Sequence, residues 1–186
     1  MTESHAPAPG KLRVFTIGHS TREFDDVVAM LRSNGVTDLV DVRSFPSSRK
    51  FPQWNQIQIE AALPTDIRYR WIRELGGRRH TEAGIASPNG GWRVKAFRDY
   101  ADYMATEGFR TGLAELLRVA GESTPTIMCS EAVPWRCHRR LITDALMVAG
   151  VEVFDIMSAS STRRATMDEF AVVSDGKITY PAAEEV

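Results

Sequence analysis

The feature that most restricts the fold is an apolar run, a helical repeat and a second apolar run, joined by short turns near the start of the chain. Arg13-Val-Phe-Thr-Ile17 has the length and apolar character of a buried strand. Gly18-His19 supplies a turn, and Ser20-Thr-Arg-Glu23 has the capping-box spacing that starts a helix. Phe24, Val27, Val28 and Leu31 then recur at i, i+3, i+4 and i+7, giving that helix one apolar face. Asn34-Gly35 ends it, and Thr37 to Val42 reads as a second strand. Strand, helix and strand with short joints predict a parallel pair with a right-handed crossover.

The same alternation continues. A short helix over residues 56–63 and a strand over 67–72 follow a proline-rich loop that Phe45, Phe51 and Trp54 are expected to anchor. Residues 73–94 form a second long loop, rich in glycine and arginine; structureless loops of that length tend to be functional or disordered. Phe97, Tyr100, Ala101 and Met104 mark a helix face, and Thr106 caps a further helix. Residues 126–129 are a fourth strand, 138–148 a helix stopped by Gly150, and 151–156 a fifth strand. Phe170 to Tyr180 reads as a β-hairpin around Asp175-Gly176. Five strands alternating with helices predict a doubly wound, mostly parallel α/β sheet.

With 186 residues the chain suits one domain, expected over residues 11–186 behind an Ala/Pro-rich tail at 1–10. A formal net charge of −1 marks neither a nucleic-acid nor a membrane binder, but arginines cluster at 43–50, 68–79, 136–140 and 163–164. No apolar run approaches a membrane span and the tail lacks a signal-peptide core, so a cytoplasmic location with reduced thiols is expected. The two cysteines are then a thiol site or buried residues, not a structural disulfide. No motif specifies an oligomeric state.

Ligands bind such sheets beyond the carboxyl ends of the strands. That rule gathers Gly18-His19-Ser20, Asp41-Val-Arg43, Glu74 to Gly91 and Cys129 to Arg140. Cys129 ends a strand near a helix N-terminus and several arginines, which favours a lowered thiol pKa and a nucleophilic role. Glu131, His138 and His19 are acid/base candidates. Arg43, Arg78, Arg136, Arg139, Arg140 and Ser20 are candidates for holding an anion, because arginine suits bidentate phosphate or carboxylate contacts and helix N-termini favour anions. Six residues separate Cys129 from Arg136, one more than in a phosphate-cradling cysteine loop, and Pro134 and Trp135 replace the small residues that would line one. Cys129, Cys137 and His138 lack the paired C-x2-C spacing of a zinc site, so no metal site is assigned. One glycine beside Ser20 makes neither a dinucleotide fingerprint nor a P-loop, so no cofactor is specified. Phe51, Trp54, Trp92 and Tyr103 have rings that could stack on a base, with Trp54 and Trp92 the leading candidates, although aromatic residues more often belong to the core.

Thr16-Ile-Gly-His-Ser20, Val40-Asp-Val-Arg-Ser-Phe-Pro46, Leu75-Gly-Gly-Arg78, Gly91-Trp92, Phe97 to Met104 and Met128 to Arg140 resemble the bacterial family called domain of unknown function 488, from about Val14 to Tyr180. The resemblance implies a Rossmann-like fold and no established reaction. Similar proteins often carry a histidine on the last parallel strand, where this chain has Phe154-Asp155, and another before the terminal hairpin, where it has Arg163-Arg164. Three functions are therefore expected to compete. The first is an enzyme acting on a phosphate-bearing anion such as a nucleotide or nucleic-acid end. The second is a nucleotide or nucleic-acid binding module without chemistry. The third is a thiol-redox or metal-dependent protein using Cys129 and Cys137.

Overall fold

The computed structural model describes residues 10–183. The tail expected over residues 1–10 lies, Gly10 apart, outside the described residues, as do the last three positions of the expected 11–186 domain. Strands β1 (Arg13–Gly18), β2 (Asp38–Asp41), β3 (Arg68–Trp71), β4 (Pro125–Cys129) and β5 (Glu152–Ser158) pair in parallel where the apolar runs place them. A further strand, β6 (Ser161–Arg164), runs antiparallel to β5, so the sheet has six strands in the order β3-β2-β4-β1-β5-β6 and not five. All four residues of β6 are exposed and polar, which is why side-chain periodicity misses it; backbone pairing alone defines it. The expected hairpin is present as β7 (Val172–Ser174) and β8 (Lys177–Thr179). Asp175 and Gly176 have φ of 50° and 72°, the left-handed pair that a tight hairpin turn requires.

Among the described residues five α-helices cover the sheet: α1 (Phe24–Ser33), α2 (Gln56–Ala62), α3 (Lys95–Tyr103), α4 (Glu107–Glu122) and α5 (Arg139–Val148). Thr106 caps α4 as its position suggests, accepting from the Phe109 N–H. The capping box at Ser20 does not form. Ser20 instead takes φ 47° in a turn, Arg22 N–H closes that turn on the His19 carbonyl, and α1 starts behind Glu23. Among the described residues no helix is long and apolar enough to cross a membrane.

Val27, Leu31 and Ile59 of α1 and α2 pack with Phe15, Ile17, Leu39 and Met128 on one face of the sheet. Tyr100, Leu116 and Leu141 of α3, α4 and α5 pack with Val14, Val40 and Ile127 on the other. The sorting follows from chain direction. The crossovers from β1 to β2 and from β2 to β3 move towards the β3 edge and lie on the first face. Those from β3 to β4 and from β4 to β5 move back and lie on the second, as a constant handedness requires. The chain therefore leaves the adjacent strands β1 and β4 towards opposite faces, which opens a crevice at their carboxyl ends.

Candidate functional site

Strand register builds the crevice. Gly18 and Cys129 are Cα partners at the ends of β1 and β4. Beyond them His19 N–H donates to the Cys129 carbonyl and Ser20 N–H to the Ser130 carbonyl, both at 3.0 Å, so the two loops leave the sheet locked together. A cleft of about 780 Å³ lies above, lined by His19, Ser20, Arg43, Arg78, Cys129, Glu131, Arg136, Cys137 and His138 together with serines of the 43–48 loop. Eight of the ten residues expected at the site thus meet in one place.

The other two do not line it. Arg139 is 1% exposed and lies behind the cleft, donating to Thr16 Oγ1 at 3.1 Å and to the Glu131 carbonyl at 2.8 Å. Arg140 points elsewhere: it pairs with Asp168, covers the Trp92 ring and lines a separate cavity of about 490 Å³ with Asp155, Arg163 and Arg164. Asp155 and Arg163, cross-strand partners 3.7 Å apart, also meet there.

Arg43 is held, not free. Its Nε and Nη2 grip the Asp41 carboxylate, with Nη2 at 2.6 Å from Oδ2, and Nη2 also reaches the Trp54 carbonyl. Asp41 is a partner the sequence reading missed, although its i, i+2 spacing from Arg43 on an extended segment was the available signal. Trp54 is fully buried, stacked on His19 with ring centroids 4.6 Å apart, and Trp92 packs among Phe97, Phe170 and Tyr180. Neither indole is presented to stack on a base, and Phe45, expected to be an anchor, is 62% exposed at the rim with Arg78 over its ring.

His19 has its Nδ1 3.1 Å from the Ser20 carbonyl and its Nε2 3.4 Å from Arg43 Nη1, so the neutral ring donates from Nδ1 and accepts at Nε2. Burial, then the Arg43 charge, lowers its pKa from 6.5 to about 4. His138 donates from Nε2 to the Val42 carbonyl at 2.9 Å, which turns Nδ1 towards Cys137 Sγ at 3.5 Å. Burial lowers this histidine as well. Gly77 packs flat on the His138 ring; a Cβ there would sit 2.5 Å from Nδ1.

The thiols divide their roles differently from the expectation. Burial, followed by hydrogen bonding to Cys137, pushes the Cys129 thiol well up, so it is not the activated one. Burial also works against ionising Cys137, but the Cys129 hydrogen bond, the Arg139 charge and the Arg139 backbone N–H at 3.5 Å outweigh it and lower this thiol to about 7. Cys129 lies before the turn that leads into α5, and Cys137 lies at its N-terminus, where N–H groups and helix dipole favour an anion. Both cysteines are free, and among the described residues no three His, Cys, Asp or Glu side chains converge to hold a metal ion.

These shifts predict a pH dependence. Between pH 6.5 and 4 the unfolded chain binds a proton at His19 that the native state refuses, so stability falls on acidification by about 3 kcal/mol. Asp144 acts in the opposite sense. Burial raises its carboxyl from 3.8 to about 7, although a bond from the Tyr180 hydroxyl works against the rise, so between those values the native state holds a proton the unfolded chain has released. The two contributions offset one another in the wild-type protein. Asp144→Asn is expected to steepen the loss of urea midpoint between pH 6.5 and 4.5; equal slopes for the two proteins would refute the assignment.

A family model described as Domain of unknown function DUF488 matches residues 23–146. The chain belongs to that family. The DUF488 match takes in Arg43, Arg78 and the whole Cys129 to Arg140 segment, while His19 and Ser20 precede it. No match was found among curated proteins or among solved structures.

Proposed function

We propose that this chain is a cytoplasmic enzyme acting on an anionic, phosphate-bearing ligand, such as a nucleotide or nucleic-acid end. In this reading it is one domain over residues 11–186 with a Rossmann-like, doubly wound sheet, a description supported by crossovers sorted to opposite faces. The observation that carries the reading is charge balance in the cleft. Arg78 and Arg136 are exposed there, neither makes an ion pair among the described residues, and Glu131 is the one carboxylate among the lining residues. An unpaired guanidinium in a concave site is the arrangement that recognises phosphate by paired N–H donors. Arg43 contributes shape more than charge, since Asp41 neutralises it.

The roles follow from position. Arg78, whose backbone N–H is fixed by Ser44 Oγ at 2.8 Å, and Arg136 hold the anion from two sides, with Ser20 between them and the sheet. Glu131, exposed at the rim, is the group available to move a proton. His19, already engaged at both ring nitrogens, walls the cleft, while Cys129, Cys137 and His138 form its floor. A binding module that stacks bases is disfavoured, because Trp54 and Trp92 are in the core. Arg136→Ala is expected to weaken nucleotide or pyrophosphate binding about tenfold, the loss of one hydrogen bond to a charged group, as read by calorimetric titration. Unchanged affinity, or affinity indifferent to salt, would contradict the reading.

A further inference from the structure

A buried charge without a counter-ion marks the floor of the cleft. Arg139 is 1% exposed, permanently protonated, and its Nε has no hydrogen-bond partner. Its two Nη groups end on a hydroxyl and a carbonyl, and among the described residues no carboxylate lies within ion-pair distance. The acid it reaches is Asp155, one step away through the Thr16 hydroxyl, and Asp155 is shared with Arg163. An uncompensated buried guanidinium is costly, so it favours an ionisable group beside it that can release a proton. Cys137 is that group. Its Sγ accepts from the Arg139 backbone N–H at 3.5 Å, faces the acceptor nitrogen Nδ1 of His138 at 3.5 Å, and is close enough to the Cys129 thiol for each to shift the other's ionisation. Both cysteines also line the cleft, so a ligand held there meets them.

We infer that Cys137 and Cys129 are an attacking and a resolving thiol, and that the cleft exchanges them with a low-molecular-weight disulfide carrying a phosphate or carboxylate group. The inference rests on the reading of the cleft as an anion site and names the reacting bond of its ligand. Cys137 gives up its proton towards His138 Nδ1, and its thiolate attacks one sulfur of the disulfide RS–SR. A Cys137–S–SR bond forms and RS⁻ leaves, its charge held by Arg78 or Arg136. Cys129–SH then attacks the Cys137 sulfur. The Cys129–Cys137 disulfide forms, the second RS group departs, and it carries away the Cys129 proton as RSH. Two protein thiols are oxidised and one small disulfide is reduced, with no further oxidant. The asymmetry suits this order, because the attacking thiol should ionise near ambient pH while the resolving one stays protonated until used.

Three probes and three kinds of variant test it by intact-protein mass spectrometry. The probes are coenzyme A disulfide, which carries phosphates, glutathione disulfide, which carries carboxylates only, and neutral hydroxyethyl disulfide. Wild-type protein should lose two hydrogens with each probe. Cys129→Ser should stop at a mixed disulfide on residue 137, and Cys137→Ser should stay unmodified. Arg78→Ala and Arg136→Ala should slow the anionic probes about tenfold more than the neutral one, which shares with them only the departing thiolate; the faster of the anionic probes identifies the group the cleft prefers. Wild-type protein that stays reduced with all three, or equal modification of the two cysteine variants, overturns the inference. Arginine variants that slow no probe, with the cysteine variants behaving as expected, overturn the anion reading and leave the thiol pair standing.

Discussion

Gly18→Ala is expected to lower the unfolding free energy by about 3 kcal/mol or more, at the upper end of what overpacking costs. A Cβ at residue 18 would lie 1.7 Å from the Glu131 carbonyl oxygen and 2.5 Å from its carbon. Both are backbone atoms, so no side-chain rotation relieves the overlap. Moving the 130–132 loop is not a cheap escape. The same Glu131 carbonyl accepts from Arg139 Nη2 at 2.8 Å and lies 3.9 Å from Cys129 Sγ. The Ser130 carbonyl beside it is tied to Ser20 N–H. The substitution is therefore expected to remove the cleft together with the stability, and an unfolding free energy from urea titration within about 1 kcal/mol of wild type would show that the loop is far softer than its hydrogen bonds indicate.

Arg139→Met should change the chemistry of the floor more than the fold. Methionine fills a similar volume without charge, and replacing a buried charge by a well-packed apolar group is often neutral for stability. The cost left behind is the Glu131 carbonyl without its donor, about 1–3 kcal/mol. The thiol responds in a defined direction. Arg139 is among the groups holding Cys137 down at about 7, so its removal should return this thiol towards or above the ordinary range. At pH 7 the thiolate fraction then falls about tenfold, and the alkylation rate of residue 137 with it. An alkylation profile against pH that is the same in Arg139→Met and wild type would exclude the arginine as the source of activation.

The location of the site was legible because the strand–helix alternation fixes which loops share an edge. Once Arg13–Ile17, residues 37–42 and residues 126–129 read as parallel strands, His19, Arg43 and Cys129 had to fall at one end of the sheet. What each residue does there was less legible. Arg43 and Arg136 look alike in sequence, yet one pairs with Asp41 and the other makes no ion pair among the described residues, a difference set by tertiary pairing. Arg139 and Arg140 are adjacent, and helix geometry sends one under the cleft and the other into a different cavity. Cys129 carried the expectation of the reactive thiol because it ends a strand; burial defeats it, and the helix N-terminus that the expectation invoked serves Cys137. Strand β6 was invisible for a plain reason: an exposed edge strand has no apolar side to show. Trp54 anchors its loop in the core as its place among prolines suggests, and Trp92 does the same for the second long loop, so neither indole is left to meet a base.

Two basic cavities compete for an anion: the cleft of Arg78 and Arg136, and the smaller one of Arg140, Arg163 and Arg164. The decisive difference is pairing, since Arg140, Arg163 and Arg164 each have an acidic partner, while Arg78 and Arg136 make no ion pair among the described residues. A crystal structure of the protein soaked with a nucleotide or pyrophosphate compares them directly. The phosphate is expected within hydrogen-bonding distance of Arg78 and Arg136, above Cys137; density in the Arg140 cavity, with the cleft left empty, would contradict the account.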